Sequence, residues 1–174
     1  LPLLRQARDL GLPLSAETTP HYLHLKQLAR TEDDKAKIRM MRSFDPVMAG
    51  KNLDELGIYD PWYGQMRDFE YTTELIDTAA RALIAELAQV NVITSNCPGY
   101  AVSDGEWTLI TGTGDRLAAR LGLGPQRYDS EFYGPACRLL DDPGACDRIG
   151  PTAKPLIARL KAMGGDTTPI AQSQ

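Results

Sequence analysis

Residues 67–89, RDFEYTTELIDTAARALIAELAQ, decide the fold that we expect for this chain. Apolar side chains recur at the spacing of one helical face, and Asp68 is placed to cap the first turn. The apolar stripe consists of Phe69, Leu75, Ile76, Ala79, Leu83, Ile84 and Leu87. Asp77 and Arg81 stand four residues apart, which is the spacing of a helical ion pair. A long amphipathic helix needs an apolar surface to pack on, and a sheet is the simplest such surface.

Two patterns precede this helix. TPHYLHLKQLAR (19–30) has helical spacing, with Thr19 and Pro20 suited to the N-cap and the first turn. AKIRMMRSF (36–44) mixes apolar and basic residues and runs into an Asp-Pro turn signal, so we expect a strand there. The predicted fold class is therefore α/β, with residues 1–90 supplying part of a parallel sheet and its covering helices.

The second half of the chain is less regular and holds most of the glycines and all three cysteines. EWTLITGTG (106–114) predicts a strand that runs into a glycine turn, followed by a short helix, DRLAARLG (115–122). TAKPLIARLKAMGG (152–165) predicts another short helix that ends at its glycine pair. We expect two segments, residues 1–90 as the α/β part and residues 91–174 as an irregular, Gly/Pro-rich part with short helices and no assigned role.

The bulk composition excludes several classes of protein. The 174 residues carry a formal net charge of −4, so nucleic acid and anionic membrane are poor partners. No apolar run approaches the roughly 18 residues that a membrane-spanning helix needs, and no secretory pattern is visible. We therefore expect a cytoplasmic protein with reduced thiols, with a Cys137–Cys146 bridge as the open alternative. Because the chain opens on Leu1 rather than Met, we also expect a fragment or a processed product.

The stretch DPWYG (60–64) places a carboxyl group and two large aromatic rings in one turn. Asp60 precedes a proline, which biases its backbone toward extended conformations and presents its side chain. Trp62 and Tyr63 can form apolar walls that reduce the hydration of this carboxyl and raise its pKa, as a general acid requires. The alternative interpretation is an ordinary Asx-type turn with both rings in the core.

Three blocks of sequence together resemble the C-terminal half of the low-molecular-weight protein tyrosine phosphatases. They are DKAKIRMMRSFDP (34–46), DPWYG (60–64) and RDFEYTTELIDTAARALIAEL (67–87), and the resemblance covers about residues 17–90. It implies a three-layer fold around a parallel sheet. It also implies that Asp60 protonates the departing phenol oxygen and that Trp62 and Tyr63 line the slot for the substrate ring. The substrate it implies is a phosphotyrosine protein or a small aryl phosphate, with no cofactor and no metal.

The nucleophile of that family is a Cys thiolate in a C-x5-R loop near the N-terminus, and this chain lacks such a loop. The residues six positions after Cys97, Cys137 and Cys146 are Ser103, Pro143 and Thr152. We therefore expect phosphoric monoester hydrolase activity only if the missing loop is supplied, and no activity from the chain alone. A non-catalytic phosphatase-like binding module and a mosaic chain without a selected function are the alternatives.

Two further stretches suggest other functions. LPLSAETTPHYL (12–23) is similar to a short motif of the metal-dependent cyclic amidohydrolases, in which His21 would bind the metal with Glu17 nearby. The chain has only two histidines, His21 and His24, whereas such sites draw several from distant strands. LITGTGDRLAARLG (109–122) allows phosphate binding by the backbone N–H groups of residues 113–115, or else a simple glycine turn. The sequence predicts no oligomeric state.

Overall fold

The computed structural model describes residues 25–36, 38–58, 61 and 64–168. The chain divides into two compact units. The first contains the residues up to Ala82 together with Ala162–Gly164, and the second contains Leu83–Lys161 and the residues from Gly165 onward. The division into residues 1–90 and 91–174 on composition stays a prediction. Among the helices that the structure describes, none has the length and apolar character needed to cross a membrane.

The first unit is built from short helical elements and the start of one long helix. Its helices are α1 (Glu32–Ala36), α2 (Leu53–Leu56) and the first part of α3 (Met66–Asn96), with 3-10 turns at Met41–Phe44 and Pro46–Met48. Residues 25–28, within the predicted helix 19–30, are helical, and the rest of that pattern up to residue 24 lies outside the described residues. The buried apolar side chains include Met40, Phe44 and Ile58.

The predicted α/β fold with a parallel sheet is wrong for the described part of the chain, which contains no β-strand. The stretch 36–44 has a single bridge residue at Arg39 and then turns as a 3-10 helix over Met41–Phe44. The Ser43 hydroxyl donates to the Met40 carbonyl at 2.6 Å, and the Asp45 N–H donates to the Arg42 carbonyl at 3.0 Å. These local bonds use the backbone groups that a strand would offer to a neighbour.

The long helix predicted over 67–89 is confirmed and continues to Asn96, for a total of 31 residues. The predicted ion pair is present, with Arg81 Nε 2.7 Å from Asp77 Oδ2. Ala79, Leu83, Ile84 and Leu87 of the apolar stripe are buried, whereas Phe69 is 43% exposed. The burial predicted from the apolar stripe is therefore confirmed for the middle of α3 and wrong for Phe69 in its first turns.

In the described residues of the second unit, every element of regular structure is a helix or a helical turn. After the end of α3 it contains α4 (Asp104–Arg120), α5 (Pro125–Tyr128), α6 (Gly134–Arg138), α7 (Ala145–Ile149) and α8 (Ala153–Ala162). A π-helical turn covers Asp129–Tyr133, and 3-10 turns cover Pro98–Tyr100, Leu139–Asp141 and Gly150–Thr152. One core cluster consists of Ile84, Ala88, Val92, Ala118, Leu123, Phe132 and Ala136. The helix predicted over 152–165 is confirmed as α8, whereas the expectation of an irregular second half is wrong.

Helix α4 replaces the predicted strand 106–114. A capping box begins it, since the Glu106 N–H donates to Ser103 Oγ at 3.4 Å and the Ser103 N–H donates to Glu106 Oε2 at 2.9 Å. It ends in a glycine cap at Gly122, with φ 64°, where the Leu123 N–H donates to the Ala118 carbonyl at 2.9 Å. The N–H groups of residues 113–115 lie inside this helix and serve its own hydrogen bonds, so both alternatives for this stretch, a glycine turn and a phosphate site, are wrong.

A disulfide joins Cys97, just after α3, to Cys146 in α7, with 5.9 Å between the Cα atoms. Cys137 is free and exposed. The expectation of three reduced thiols is therefore wrong, and so is the alternative pairing of Cys137 with Cys146. Cys97 packs with Ile93 and Ala145 in a second core cluster, with Leu139 and Ile149 against it. The bridge therefore fastens the end of α3 to the region around α7.

We expect the variant Cys97→Ser/Cys146→Ser to lower the free energy of unfolding of the second unit by about 4 kcal/mol. The bridge closes a loop with a sequence separation of 49 residues, and this loop constrains the unfolded chain. Urea unfolding followed by circular dichroism measures the change, with Cys137→Ser as the matched control that leaves the midpoint in place. An unchanged midpoint in the double variant contradicts the expectation.

Candidate functional site

The predicted site residues Asp60, Trp62 and Tyr63 lie outside the described residues. The alternative metal-binding residues His21, His24 and Glu17 also lie outside them. Within the part of the chain that the structure describes, no group of three or more His, Cys, Asp or Glu residues is arranged to hold a metal ion. The residues on both sides of the predicted site, up to Ile58 and from Gly64 onward, are described.

The upstream end of the loop is anchored by a buried side chain. Helix α2 begins with a capping box in which the Glu55 N–H donates to Asn52 Oδ1 at 3.0 Å. The helix ends at Leu56, and the Gly57 N–H donates to the Asp54 carbonyl at 3.3 Å. Ile58, directly before the undescribed residues 59 and 60, is only 4% exposed. A buried isoleucine fixes the point from which the chain enters the loop.

Arg42 ties the turns at 41–48 to α2. Its Nη1 donates to the Glu55 carbonyl at 2.8 Å, and its Nη2 lies 3.1 Å from Met48 Sδ. Its Nε is buried and has no hydrogen-bond acceptor among the described residues. Asp45, the acid of the S-F-D-P block, accepts the Val47 N–H at 3.0 Å and so caps the following 3-10 turn. Asp45 therefore has a structural role as a cap. The contacts of Arg42 with α2 and Met48 were not predicted from the sequence.

The downstream end of the loop is closed by hydrogen bonds that lead into α3. The Gly64 N–H donates to the Pro61 carbonyl at 2.7 Å. The Gln65 N–H donates to Asp68 Oδ2 at 2.6 Å, which confirms that Asp68 caps the helix. A Cβ on Gly64 would lie 2.6 Å from Asp68 Oδ2, closer than real Cβ atoms approach. A larger residue at position 64 would therefore have to displace the Asp68 carboxylate, which occupies the space beside Gly64.

An open hollow of about 540 Å³ lies along the first turns of α3. Its lining consists of Met66, Phe69, Glu70, Thr73, Glu74 and Asp77. Met66 is 73% exposed and Phe69 is 43% exposed, so this part of the helix presents apolar atoms to solvent. The first residue of its lining, Met66, lies two residues after Gly64 in the sequence.

A cluster of phenols in the second unit is the other candidate. The Tyr128 and Tyr133 rings meet edge to face, with centroids 5.3 Å apart. The Tyr128 hydroxyl lies 2.6 Å from the position that a Cβ on Gly114 would take, so the ring rests against α4 at a glycine. Burial, followed by the nearby Tyr133 phenol and the Asp115 carboxylate, raises the pKa of Tyr128 above its ordinary value of 10.0. The Tyr128 ring thus packs against Phe132, Tyr133 and Gly114 of α4.

Comparison with known proteins matches the segment that carries the predicted site. Residues 15–92 match the family model described as Low molecular weight phosphotyrosine protein phosphatase. A low molecular weight protein-tyrosine-phosphatase of Streptomyces coelicolor is 41% identical over 81 residues, which are 47% of this chain and 46% of that protein. Low molecular weight protein-tyrosine phosphatase A of Mycobacterium tuberculosis is 37% identical over 60 residues, which are 34% of this chain and 35% of that protein.

The chain spans less than half the length of these curated relatives. No solved structure matches it. The match ends at residue 92, within α3, so α4 to α8 lie outside the segment that the family model covers.

We expect Gly64→Ala to destabilise the chain by about 1 kcal/mol, the usual cost of a lost helix cap. The added methyl group displaces the Asp68 carboxylate from the Gln65 N–H, so Asp68→Ala should cost a similar amount. In the double variant the two losses should not add, because the collision and the cap disappear together. Urea unfolding of the four proteins measures the coupling, and simple additivity contradicts the predicted contact.

We expect the free energy of unfolding to fall as pH rises above 10, and to fall less in Tyr128→Phe. The buried phenol keeps its proton in the folded chain while the unfolded chain ionises, so the unfolded form binds fewer protons. Tyr128 lowers the free energy of unfolding by less than about 1.4 kcal/mol per pH unit, because its ring is only half-buried and solvent screens the effect. Denaturant unfolding at pH 8, 10 and 11 measures it, with exposed Tyr71→Phe as the control. If the free energy of unfolding depends on pH in the same way in Tyr128→Phe and Tyr71→Phe, the expectation is wrong.

Proposed function

We propose that the chain supplies the proton-donating half of a low molecular weight phosphotyrosine protein phosphatase, the family whose model matches residues 15–92. The observation that carries the proposal is the D-P-W-Y-G loop at residues 60–64, inside the matched segment and directly before α3. In this proposal Asp60 is the general acid, and the rings of Trp62 and Tyr63 form the walls of the substrate slot.

The anchored ends of the loop support this role. A general acid is effective only when its proton lies within hydrogen-bond reach of the leaving group. Ile58 is buried on the upstream side, and the Gly64–Asp68 arrangement closes the downstream side. The described residues on both sides of the stretch that contains Asp60 are therefore held in place, by burial at Ile58 and by the contacts of Gly64 and Asp68.

The substrate class in this proposal is an aryl phosphate, either phosphotyrosine in a protein or a small phenyl phosphate. A thiolate supplied from outside the chain attacks the phosphorus, and the bond from phosphorus to the phenol oxygen breaks. Asp60 transfers its proton to that oxygen, so phenol leaves rather than phenolate. An indole at position 62 offers a broad flat surface against which an aromatic ring can stack.

The chain does not itself offer the nucleophile. Cys97 and Cys146 are bonded to each other, and a disulfide sulfur carries no thiolate. Cys137 is free, but Pro143 stands where a C-x5-R loop needs its arginine. General acid catalysis contributes about 10²- to 10⁴-fold, which does not replace the covalent step. We therefore propose that the chain alone turns over no aryl phosphate.

A non-catalytic binding module is the second candidate. The retained aromatic pair favours it, since Trp62 and Tyr63 can bind a flat phosphorylated ring without any nucleophile. In that case the chain binds phenyl phosphate with an affinity that depends on Trp62 and not on the charge of Asp60.

We expect no hydrolysis of p-nitrophenyl phosphate by the purified chain above the buffer rate. The full-length Streptomyces coelicolor relative, assayed beside it, is the positive control. Turnover by the chain that Asp60→Asn abolishes would overturn the proposed need for an external nucleophile. Titration of wild type and Trp62→Ala with phenyl phosphate, followed by tryptophan fluorescence and calorimetry, tests the binding module separately.

A further inference from the structure

We propose that the Cys97–Cys146 disulfide is a reversible redox switch, and that Tyr100 keeps its two cysteines aligned after the bond is reduced. The bond joins the turn that follows α3 to helix α7, and both lie in the second unit. It does not involve the Asp60 loop, so the switch goes beyond the proposed function and does not rest on it.

Helix α7 is a short element that contacts with the rest of the chain must hold in place. It has only 5 residues, which is too few for a helix to be stable on its own. A Pro-Gly pair at 143–144 and a Gly-Pro pair at 150–151 border it. Its first residue, Ala145, is 1% exposed and packs with Ile93 and Cys97. The position of α7 therefore depends on the contacts that it makes around the end of α3.

The two cysteines of the bond differ in their exposure. Cys97 is 4% exposed and packs with Ile93 and Ala145, whereas Cys146 is only partly buried. In thiol–disulfide exchange a thiolate must reach one of the two sulfurs, so the rate depends on access. Cys146 is therefore the residue at which we expect a reductant to attack, with Cys97 as the leaving thiolate.

The reductant in this proposal is a small dithiol. One of its thiolates attacks the Cys146 sulfur, the bond to Cys97 breaks, and Cys97 leaves as a thiolate that takes a proton from water. The second thiol of the reductant then gives up its proton and displaces Cys146, which leaves two protein thiols and the cyclic disulfide of the reductant. Two electrons pass to the protein, and oxidised glutathione accepts two electrons when the bond forms again.

Tyr100 forms a second connection between the same two segments, and this connection does not depend on the redox state. Its hydroxyl donates to Asp147 Oδ1 at 2.9 Å, one residue after Cys146. Its ring lies against Gly150, where an added Cβ would be 2.3 Å from the ring. The hydrogen bond to Asp147 raises the pKa of Tyr100, so the phenol remains a donor at pH 8, where thiol exchange is measured. Tyr100 therefore holds α7 beside Cys97 when the disulfide is open.

Cys137 is the competitor that makes this alignment important. It is a free and exposed thiol, so it competes for either partner once the bond is open. Two thiols that the fold holds together have a higher effective concentration than two that meet by diffusion, and they pair more readily. The Tyr100 contact therefore favours a return to the Cys97–Cys146 pair over a bond that includes Cys137.

The first test uses the full chain and dithiothreitol as the dithiol. We expect reduction without denaturant, so that the thiol count rises from the one of Cys137 to all 3 cysteines while the circular dichroism stays helical. In a glutathione buffer, with Cys137→Ser in every protein, Tyr100→Phe should lower the equilibrium constant for bond formation about fivefold, since one hydrogen bond is lost. Tyr71→Phe, at an exposed tyrosine of α3, is the matched control that leaves the constant unchanged.

The second test uses the competition by Cys137. After reduction and reoxidation with oxidised glutathione, peptide mass mapping should find the Cys97–Cys146 pair in the wild type and a larger share of pairs with Cys137 in Tyr100→Ala. Asp147→Ala removes the same hydrogen bond from its acceptor side. Its effect on the equilibrium constant should match that of Tyr100→Phe, and the double variant should lose no more than either single variant.

The outcomes separate a switch from a permanent crosslink. Reduction that occurs only in denaturant, or loss of the helical circular dichroism on reduction, overturns the switch. Equal equilibrium constants in Tyr100→Phe and Tyr71→Phe overturn the role of Tyr100. Wild-type pairing in Tyr100→Ala after reoxidation overturns it as well, because the two cysteines then find each other without this contact.

Discussion

The burial of one side of α3 is the constraint on which the described structure depends. Ala79 and Ala80 are buried in the first unit, and Ile84, Leu87 and Ile93 are each at most 2% exposed in the second. Full burial of a leucine or isoleucine contributes about 1.5 to 3 kcal/mol, so this run of residues outweighs any ion pair on the surface. Both units draw core residues from the same helix, which makes its continuity essential to each.

Burial changes along α3 from its first turns to its middle. The first turns expose Met66 and Phe69, whereas Ala79, Ile84 and Leu87 farther along the helix are buried. The exposed turns directly follow the Asp60–Gly64 loop, and the Asp68 carboxylate fixes the junction through the Gln65 N–H.

The failure of the sheet prediction has a physical cause. Family resemblance was correctly identified from the three blocks, and the family match to residues 15–92 confirms it. A parallel sheet, however, requires hydrogen-bonded neighbours from distant parts of a chain, and a local sequence pattern does not show whether such neighbours are present. In the described residues the segment 36–44 satisfies its backbone locally instead, through the Ser43 hydroxyl and the turn before Asp45.

The sequence by itself determined the features that depend on neighbours a few residues away. These include α3, its Asp77–Arg81 pair, the Asp68 cap and α8, because helical spacing and capping are local. Only the tertiary structure decided that Cys97 pairs with Cys146 and that Tyr128 packs at Gly114 in a helix rather than beside a strand. Those contacts join residues far apart in the chain, and no local spacing encodes which distant group lies opposite.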